Sequence, residues 1–273
     1  MRPGRYVVLA LAAALALAGC ALSVRQELKV GAQYAQQLDQ QLPLVRDPAI
    51  QADLDRIAGR LTPLSRRPEV RYQFRIVNSD VVNAFAVPGG YVYVTRGLVE
   101  HAGTMDELAG VLGHEMGHVE YRHSAKQMGR AQLAQFGVGL ATAIAPNARA
   151  AQAAQTAASV GGQLVLARYS RDQESEADRA AVQFTTEARI NPHGIVSFFE
   201  VLKGVERSRP NALAAFFMSH PLTDDRIQET GALIARTPEA AALEQTGEHD
   251  APEFQRLKAA LTRLPPPPDR QAR

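Results

Sequence analysis

Two histidines four residues apart, His114 and His118, have the spacing in this chain that most directly indicates chemistry. The stretch from Met105 to His123 carries apolar residues at helical intervals and is predicted to form one helix. Residues four apart lie on one face of a helix, where two imidazoles can bind a single metal ion. Glu115 follows the first histidine, on the side that faces a bound water. The sequence therefore predicts a zinc site with a carboxylate beside it.

A catalytic zinc ion takes three protein ligands and keeps one open position, so the two histidines need a further donor. In metzincin peptidases a glycine and a histidine stand where this chain has Tyr121 and Ser124, which excludes that class. His123 lies one residue short of that place and about 140° around the predicted helix from His118. We interpret His123 as a structural or supporting residue and not as a ligand.

A group of carboxylates later in the chain offers the missing donor. Glu174 and Asp178 are four residues apart on a helix predicted from Asp172 to Glu187 and share a face, while Glu176 points elsewhere. By spacing alone, such a face is more typical of a solvated helix. The incomplete metal site favours a second interpretation, in which one carboxylate binds the ion and the other orients a histidine.

The chain resembles peptidase family M48, in particular its periplasmic lipoprotein branch and its Oma1-like members. Four segments carry the resemblance and span more than half of the chain: Asn83 to Gly90, His114 to His118, Glu174 to Asp178, and Ser219-His220-Pro221 with Arg226. The second segment occurs in many zinc peptidases, whereas the four together are specific.

The resemblance implies an α+β fold, mostly helical: a gluzincin-type zincin domain with a small β-sheet over the active-site helix. It implies one zinc ion per chain, bound by His114, His118 and Glu174. It also implies that Asp178 supports these ligands. His220 is expected near the metal, as an active-site residue and as an additional ligand in a resting state.

The reaction implied is hydrolysis of internal peptide bonds. Zinc activates a water, and Glu115 takes its proton and passes it to the leaving amine. His220 and Arg226 are candidates to stabilise the oxyanion. Two other functions stay open: a chaperone-like envelope protein that binds without cleaving, and a zinc aminopeptidase.

Alternating apolar residues predict a strand from Val70 to Ile76, and extended segments on either side of the turn Pro88-Gly89-Gly90 predict two more, over residues 83–87 and 91–95. The strand that starts with Asn83, Ala84 and Phe85 resembles the edge that pairs with an extended substrate, and an ordinary buried strand is the alternative. Helices are predicted over residues 24–44, 48–60, 105–123, 172–187, 194–206, 223–236 and 252–264. The Ala- and Gly-rich residues 125–166 indicate either two close-packed helices or a segment that covers the site or meets the membrane.

The predicted organisation follows from these elements. Residues 1–19 are a lipoprotein signal peptide, 20–69 an N-terminal helical segment, 70–236 the peptidase domain, and 237–273 a C-terminal helix with a disordered Pro-rich tail. The first part has two arginines, a short apolar run and a Leu-Ala-Gly-Cys sequence that resembles a lipobox. The chain's single cysteine, Cys20, is therefore predicted to carry lipid. Ala21 behind it favours the outer over the inner membrane of the bacterial periplasm.

Composition excludes few functions. The chain has 30 Lys and Arg against 28 Asp and Glu, a net charge of +2, and no basic patch with interleaved aromatics. We expect polypeptide substrates, namely envelope proteins, and no nucleic acid. One cysteine also excludes an intramolecular disulfide.

Overall fold

The computed structural model describes residues 22–129, 169–208 and 213–267 of the chain. The predicted signal segment, Cys20, most of the segment 125–166 and the tail after residue 267 lie outside these residues. None of the described helices is long and apolar enough to cross a membrane.

Helices dominate the described residues and enclose three short strands. The strands are β1 (Gln73–Val77), β2 (Ala84–Val87) and β3 (Tyr91–Thr95). The helices are α1 (Val24–Gln41), α2 (Pro48–Ala58), α3 (Arg96–His101), α4 (Met105–Glu120), α5 (Arg171–Glu187), α6 (Gly194–Ser208), α7 (Ala214–Ser219), α8 (Asp224–Arg236), α9 (Pro238–Thr246) and α10 (Pro252–Arg263). This content confirms the predicted mostly helical α+β fold. Two helices follow residue 236, where the sequence predicted one.

The helix that carries the two histidines is shorter than predicted. The sequence predicted one helix to His123, whereas α4 ends at Glu120 and a helical stretch restarts at residue 123. Between them Arg122 adopts a left-handed backbone conformation with φ of 59°. Such a conformation is costly for a residue with a Cβ and interrupts a right-handed helix. The chain therefore changes direction just before His123.

The sheet has the order β1-β3-β2, with β3 parallel to β1 and antiparallel to β2. The turn from Pro88 to Gly90 joins β2 to β3, and its two glycines have positive φ. The backbone N–H of Thr95 donates to the carbonyl of Asn83 at 3.0 Å. Hydrogen-bonded and non-hydrogen-bonded residue pairs alternate along an antiparallel ladder. The N–H and C=O groups of Ala84 and Ala86 therefore point away from β3. β2 thus forms one edge of the sheet, and it packs on α4.

The last helix, α10, belongs to the same hydrophobic core as the elements before it. Its apolar side chains are buried with those of α2, a set that comprises Ile50, Leu54, Ile57, Phe254, Leu257 and Leu261. Beyond α10, the carbonyl of Pro265 accepts a hydrogen bond from Nη1 of Arg96 at 2.8 Å. Residues 252–265 therefore pack directly on the domain that carries the histidines.

The first helix, α1, is joined to the end of α4 by buried charges. Ser23 and Gln26 form a capping box at its start. One turn in, the buried carboxylate of Glu27 pairs with Arg67 at 2.7 Å and with Arg122 at 2.7 Å. These ion pairs hold α1 against the turn that follows α4.

Helices α4 and α5 approach each other closely, because small residues face each other across their interface. A Cβ on Gly117 would lie 2.9 Å from Cα of Ala177, and a Cβ on Gly113 would lie 3.2 Å from Cα of Ala181. No side chain fits at Gly117 without separating the two helices, since the nearest atoms include backbone. The glycines therefore set the distance between the histidine helix and the carboxylate helix.

We predict that Gly117→Ala destabilises the protein by about 1–3 kcal/mol through overpacking and lowers its affinity for zinc. The matched control is Gly231→Ala, since a Cβ at Gly231 in α8 meets nothing within 4 Å. That change should stabilise by about 0.5–1 kcal/mol, because glycine is a poor helix former. Urea unfolding and a chelator competition measure both quantities. Equal behaviour of the two variants would contradict this account of the helix interface.

Candidate metal centre

The two histidines of α4 converge at one point in the buried interior. His114 is 3% exposed and His118 1% exposed. Their Nε2 atoms are 3.0 Å apart, as expected for imidazoles one turn apart on one helix face. Both histidine side chains project from α4 towards α5 and towards the loop after α7.

Two further donors meet these nitrogens. Glu174, in the first turn of α5, places Oε1 at 3.5 Å from Nε2 of His118. His220, which caps the C-terminus of α7, places Nδ1 at 3.4 Å from Nε2 of His114 and at 3.1 Å from Oε1 of Glu174. The four ligand atoms lie within 4.8 Å of one another. The structure thus brings together the three sequence-predicted ligands and His220.

The separations suit a tetrahedral ion. Bonds of about 2.0–2.1 Å to nitrogen or oxygen put neighbouring donors about 3.3 Å apart in a tetrahedral zinc site. Three imidazoles and a carboxylate are also a donor set that zinc accepts. Within the described part of the chain, Nε2 of His220 and both oxygens of Glu115 are buried without a hydrogen-bond partner. Buried polar groups are seldom left so, and a bound ion with its water would satisfy them.

Asp178 supports the site from the next turn of α5. Its Oδ1 lies 2.8 Å from Nδ1 of His114, although the geometry is not that of an ideal hydrogen bond. Arg226 donates to both oxygens of Asp178, at 2.9 and 2.8 Å. Burial alone would raise the pKa of Asp178, but the Arg226 guanidinium holds that pKa below its usual range. Asp178 is therefore ionised and oriented towards His114.

Arg226 is bound on all sides by the protein. Beyond Asp178, its Nη1 lies 2.5 Å from Oε2 of Glu174 and donates to the carbonyl of Pro221 at 2.8 Å. Its guanidinium carbon also lies 4.9 Å from the ring centre of Phe199. Arg226 was predicted to stabilise the oxyanion, whereas in this arrangement its guanidinium is paired with the carboxylates of Glu174 and Asp178.

Glu115 lies deep beside the donors and is 0% exposed. Its Oε1 is 3.5 Å from Nε2 of His220. Burial raises the pKa of Glu115, and nearby His220 and His114 partly oppose that effect. For Glu174, burial would also raise the pKa, but the charge of His220 and bonds from the histidines bring it well below its usual range. The two carboxylates therefore differ, with Glu174 held as an anion and Glu115 better able to take a proton.

His123, predicted to be a structural or supporting residue, contacts His118 through a geometry that the sequence did not predict. Its Nδ1 lies 2.9 Å from Nδ1 of His118, and its Nε2 lies 2.8 Å from Oε2 of Glu176. Glu176, which was predicted to point elsewhere, does point away from the four donors but reaches His123. The prediction placed His123 about 140° around one continuous helix, and the left-handed turn at Arg122 is the reason it instead folds back on His118.

Tyr169 belongs to the site, although the sequence predicted no role for it. Its ring stacks on that of His118, with centres 3.8 Å apart and planes at 24°. Its hydroxyl bonds to Ser124 at 2.8 Å. Tyr169 stands at the end of a long Ala- and Gly-rich stretch, and no local pattern marks it as part of the site.

A cavity of about 180 Å³ lies beside His220, against β2. Apolar side chains form much of its wall, among them Tyr34 of α1, Phe85 and Val87 of β2, and Met128. Of the predicted strand residues, Phe85 lines this cavity, Ala84 presents its peptide group at the sheet edge, and Asn83 pairs with Thr95. A larger cavity of about 660 Å³ between α2 and β1 lies away from the donors, so we place the functional site by the donor cluster and not by cavity size.

The fold and the donor set define a gluzincin-type metallopeptidase domain: two histidines and a glutamate from adjacent helices, with a glutamate beside the first histidine. The sequence model of peptidase family M48 matches residues 48–233. The chain belongs to peptidase family M48.

Relatives in several organisms agree with this assignment. The chain is 31% identical over 221 residues to the beta-barrel assembly-enhancing protease of Yersinia pestis, an alignment that covers 78% of this chain and 44% of that protein. It is 33% identical over 166 residues to the metalloprotease YcaL of Escherichia coli, covering 59% and 62%. It is 27% identical over 203 residues to the mitochondrial metalloendopeptidase OMA1 of Schizosaccharomyces pombe, covering 71% and 55%. The chain thus spans less than half the length of the assembly-enhancing protease it matches.

We predict that Arg226→Ala lowers the free energy of unfolding by about 3–5 kcal/mol, because it leaves two buried carboxylates without their cation. The matched control, Arg236→Ala, removes an exposed arginine from the same helix and should change stability by less than about 0.5 kcal/mol. Urea unfolding with and without zinc measures both. Unchanged stability of Arg226→Ala together with lost peptide cleavage would instead support a direct role at the oxyanion.

Proposed function

We propose that this chain is a zinc-dependent metalloendopeptidase of the bacterial cell envelope that hydrolyses peptide bonds inside proteins. The observation that carries this proposal is the buried carboxylate of Glu115, whose oxygens have no hydrogen-bond partner, beside a cluster of four candidate metal donors. A general base must lie within reach of the water it activates, and burial raises the pKa of Glu115 above its usual range. Family membership and relatives named as proteases support the same activity.

His114, His118 and Glu174 would hold the zinc ion, through the atoms that face one another in the cluster. When bound, zinc acts as a Lewis acid, which acidifies water and polarises a carbonyl. Glu115 takes the proton of the attacking water on a carboxylate oxygen and donates it to the leaving amine. Asp178 and Arg226 keep His114 and Glu174 in place during these steps.

His220 has two proposed tasks that follow one another. With Nδ1 facing the other donors, His220 would be a fourth ligand in the resting enzyme. Because catalysis needs an open position on the metal, His220 would have to move away when a substrate binds. Once displaced, its imidazole stays close enough to donate to the developing oxyanion.

The substrate is proposed to lie along the outer edge of β2. Ala84 and Ala86 direct their peptide groups away from β3, so an extended peptide can add to the sheet there. Ser124 bonds to the carbonyl of Ala86 at 3.3 Å, so this edge faces the segment that follows α4. Phe85 lines the apolar cavity beside His220 and would contact a substrate side chain.

We predict that Glu115→Gln binds zinc with wild-type stoichiometry and loses at least about 100-fold in cleavage of an unfolded protein such as casein, because a general base contributes on that scale. Metal analysis after dialysis and a fluorescent casein assay measure the two properties. Wild-type cleavage by this variant would refute the mechanism.

His220→Ala provides the matched comparison, because it removes a donor and leaves the base. This variant should bind zinc more weakly and, at saturating zinc, cleave casein more slowly than wild type, because it loses both a proposed ligand and a proposed oxyanion donor. A loss of cleavage at unchanged zinc affinity would assign His220 to the oxyanion alone.

We also predict that a chelator stops cleavage by the wild-type protein. Chelator-sensitive cleavage distinguishes an endopeptidase from a chaperone-like binding protein, which has no need of a general base. Products from an N-terminally blocked peptide separate it from an aminopeptidase.

Envelope proteins, misfolded or membrane-associated, are the proposed substrates. The relative from Yersinia pestis carries a name that refers to β-barrel assembly. The N-terminal sequence supports the proposal that Cys20 is lipidated and tethers the enzyme on the periplasmic side, at the outer membrane in preference to the inner membrane.

We predict that Cys20→Ser moves the protein from the membrane fraction to the soluble fraction of the periplasm, because lipid chains provide the anchor. Fractionation with immunoblotting measures this, and separation of inner from outer membranes tests the location. Wild-type protein in the soluble fraction, or the variant in the membrane fraction, would contradict the lipid anchor.

A further inference from the structure

His123 and Glu176 lie beside the metal centre but take no part in the proposed reaction. The left-handed turn at Arg122 brings His123 against His118, with the two Nδ1 atoms 2.9 Å apart. On its other side, Nε2 of His123 lies 2.8 Å from Oε2 of Glu176. The side chain of His123 is 1% exposed and that of Glu176 37% exposed. The three residues therefore form a line of contacts from the protein surface to a metal ligand.

The chemistry of these groups permits one arrangement of protons. An ionised carboxylate can only accept a hydrogen bond, and a neutral imidazole has one donor and one acceptor nitrogen. Glu176 therefore requires the proton of His123 on Nε2, which leaves its Nδ1 as an acceptor. His118 must then donate from Nδ1, so its Nε2 carries a free lone pair. The reverse arrangement protonates Nε2 of His118, and a protonated nitrogen cannot bind a metal.

We propose that Glu176 and His123 are positioning residues that fix the tautomer of His118 and so keep its Nε2 available to the metal ion. The proposal rests on the metal centre of the proposed function and does not depend on cleavage. Asp178 has the corresponding place beside Nδ1 of His114, at 2.8 Å. Three of the carboxylates on α5 thus have separate proposed tasks: Glu174 is a ligand, Asp178 supports His114 directly, and Glu176 supports His118 through His123.

Two tyrosines hold the rings of this line in place. Tyr121 stacks on His123 with ring centres 5.8 Å apart and planes at 15°. Tyr169 stacks on His118 at 3.8 Å. Rotation of either imidazole out of the line would lose this packing. Ring stacking by the two tyrosines therefore fixes the orientation of His123 and His118, in addition to the hydrogen bonds of the line.

The test is zinc affinity, measured by competition with a chelator on the full chain. His123→Ala should bind zinc about 10- to 100-fold more weakly, the range found for residues that orient metal-bound histidines. His123→Asn should recover much of the affinity, because its Oδ1 can accept from Nδ1 of His118. Equal losses in the Ala and Asn variants would show a packing role only and overturn the proposal.

Glu176→Gln tests the surface end of the line without disturbing the core. Its amide can either accept from or donate to Nε2 of His123, so the tautomer is no longer fixed and zinc affinity should fall. The matched control is Glu187→Gln, an exposed glutamate near the other end of the same helix. A loss no greater than the control's would overturn the role of Glu176.

Nitrogen NMR of the zinc-loaded protein reads the tautomer directly. We expect a proton on Nδ1 of His118 and on Nε2 of His123, and a mixture of tautomers of His123 in Glu176→Gln. A proton on Nδ1 of His123 in the wild-type protein would overturn the proposal. Because these readouts need no substrate, a protein that binds zinc but cleaves nothing would sink the proposed function and leave this inference intact.

Discussion

The near-contact of helices α4 and α5 is the constraint on which the metal centre depends. Glycines at 113 and 117 and alanines at 177 and 181 let the two backbones approach to a distance that larger residues forbid. At that distance Glu174 reaches the imidazole of His118, and Asp178 reaches that of His114, one turn further along. An ion bound with tetrahedral geometry tolerates little change in donor positions, so helix spacing and metal binding are set by the same residues.

Buried charge is the second constraint, and it follows from the first. Close packing removes water from Glu174 and Asp178, and isolated carboxylates in such a place are costly. Arg226 offsets part of that cost by pairing with both. Because Arg226 belongs to α8, its ion pairs require the start of α8 and the loop from Ser219 to Pro221 to pack against α5. This packing also places His220 beside the other donors. One arginine thus connects the electrostatics of α5 to the placement of the fourth donor.

Local signals in the sequence were sufficient for part of this site. The spacing of His114 and His118 predicted that the two imidazoles share one helix face, and the structure has them there. Apolar alternation predicted β1, and the extended segments on either side of the turn at Pro88 predicted β2 and β3. For Glu174 and Asp178, spacing alone could not separate ligands from a solvated helix face, and the family resemblance made the difference. The contacts of Glu176, His123 and Tyr169 could not be predicted, because they depend on where the chain turns after α4. No propensity signals a left-handed arginine, which is uncommon for a residue with a long side chain.

That turn exists because distant residues stabilise it. A left-handed conformation at Arg122 costs about 1–2 kcal/mol, and its guanidinium is bound to the buried carboxylate of Glu27. Arg67 also pairs with Glu27 and donates to the carbonyl of Val119, in the last turn of α4, at 2.9 Å. Helix α1 therefore influences the position of His118, a proposed ligand, through three successive contacts. Glu27 binds Arg122, the turn at Arg122 positions His123, and His123 contacts His118. The N-terminal helix, which the sequence separated from the peptidase domain, is for this reason part of what shapes the metal centre.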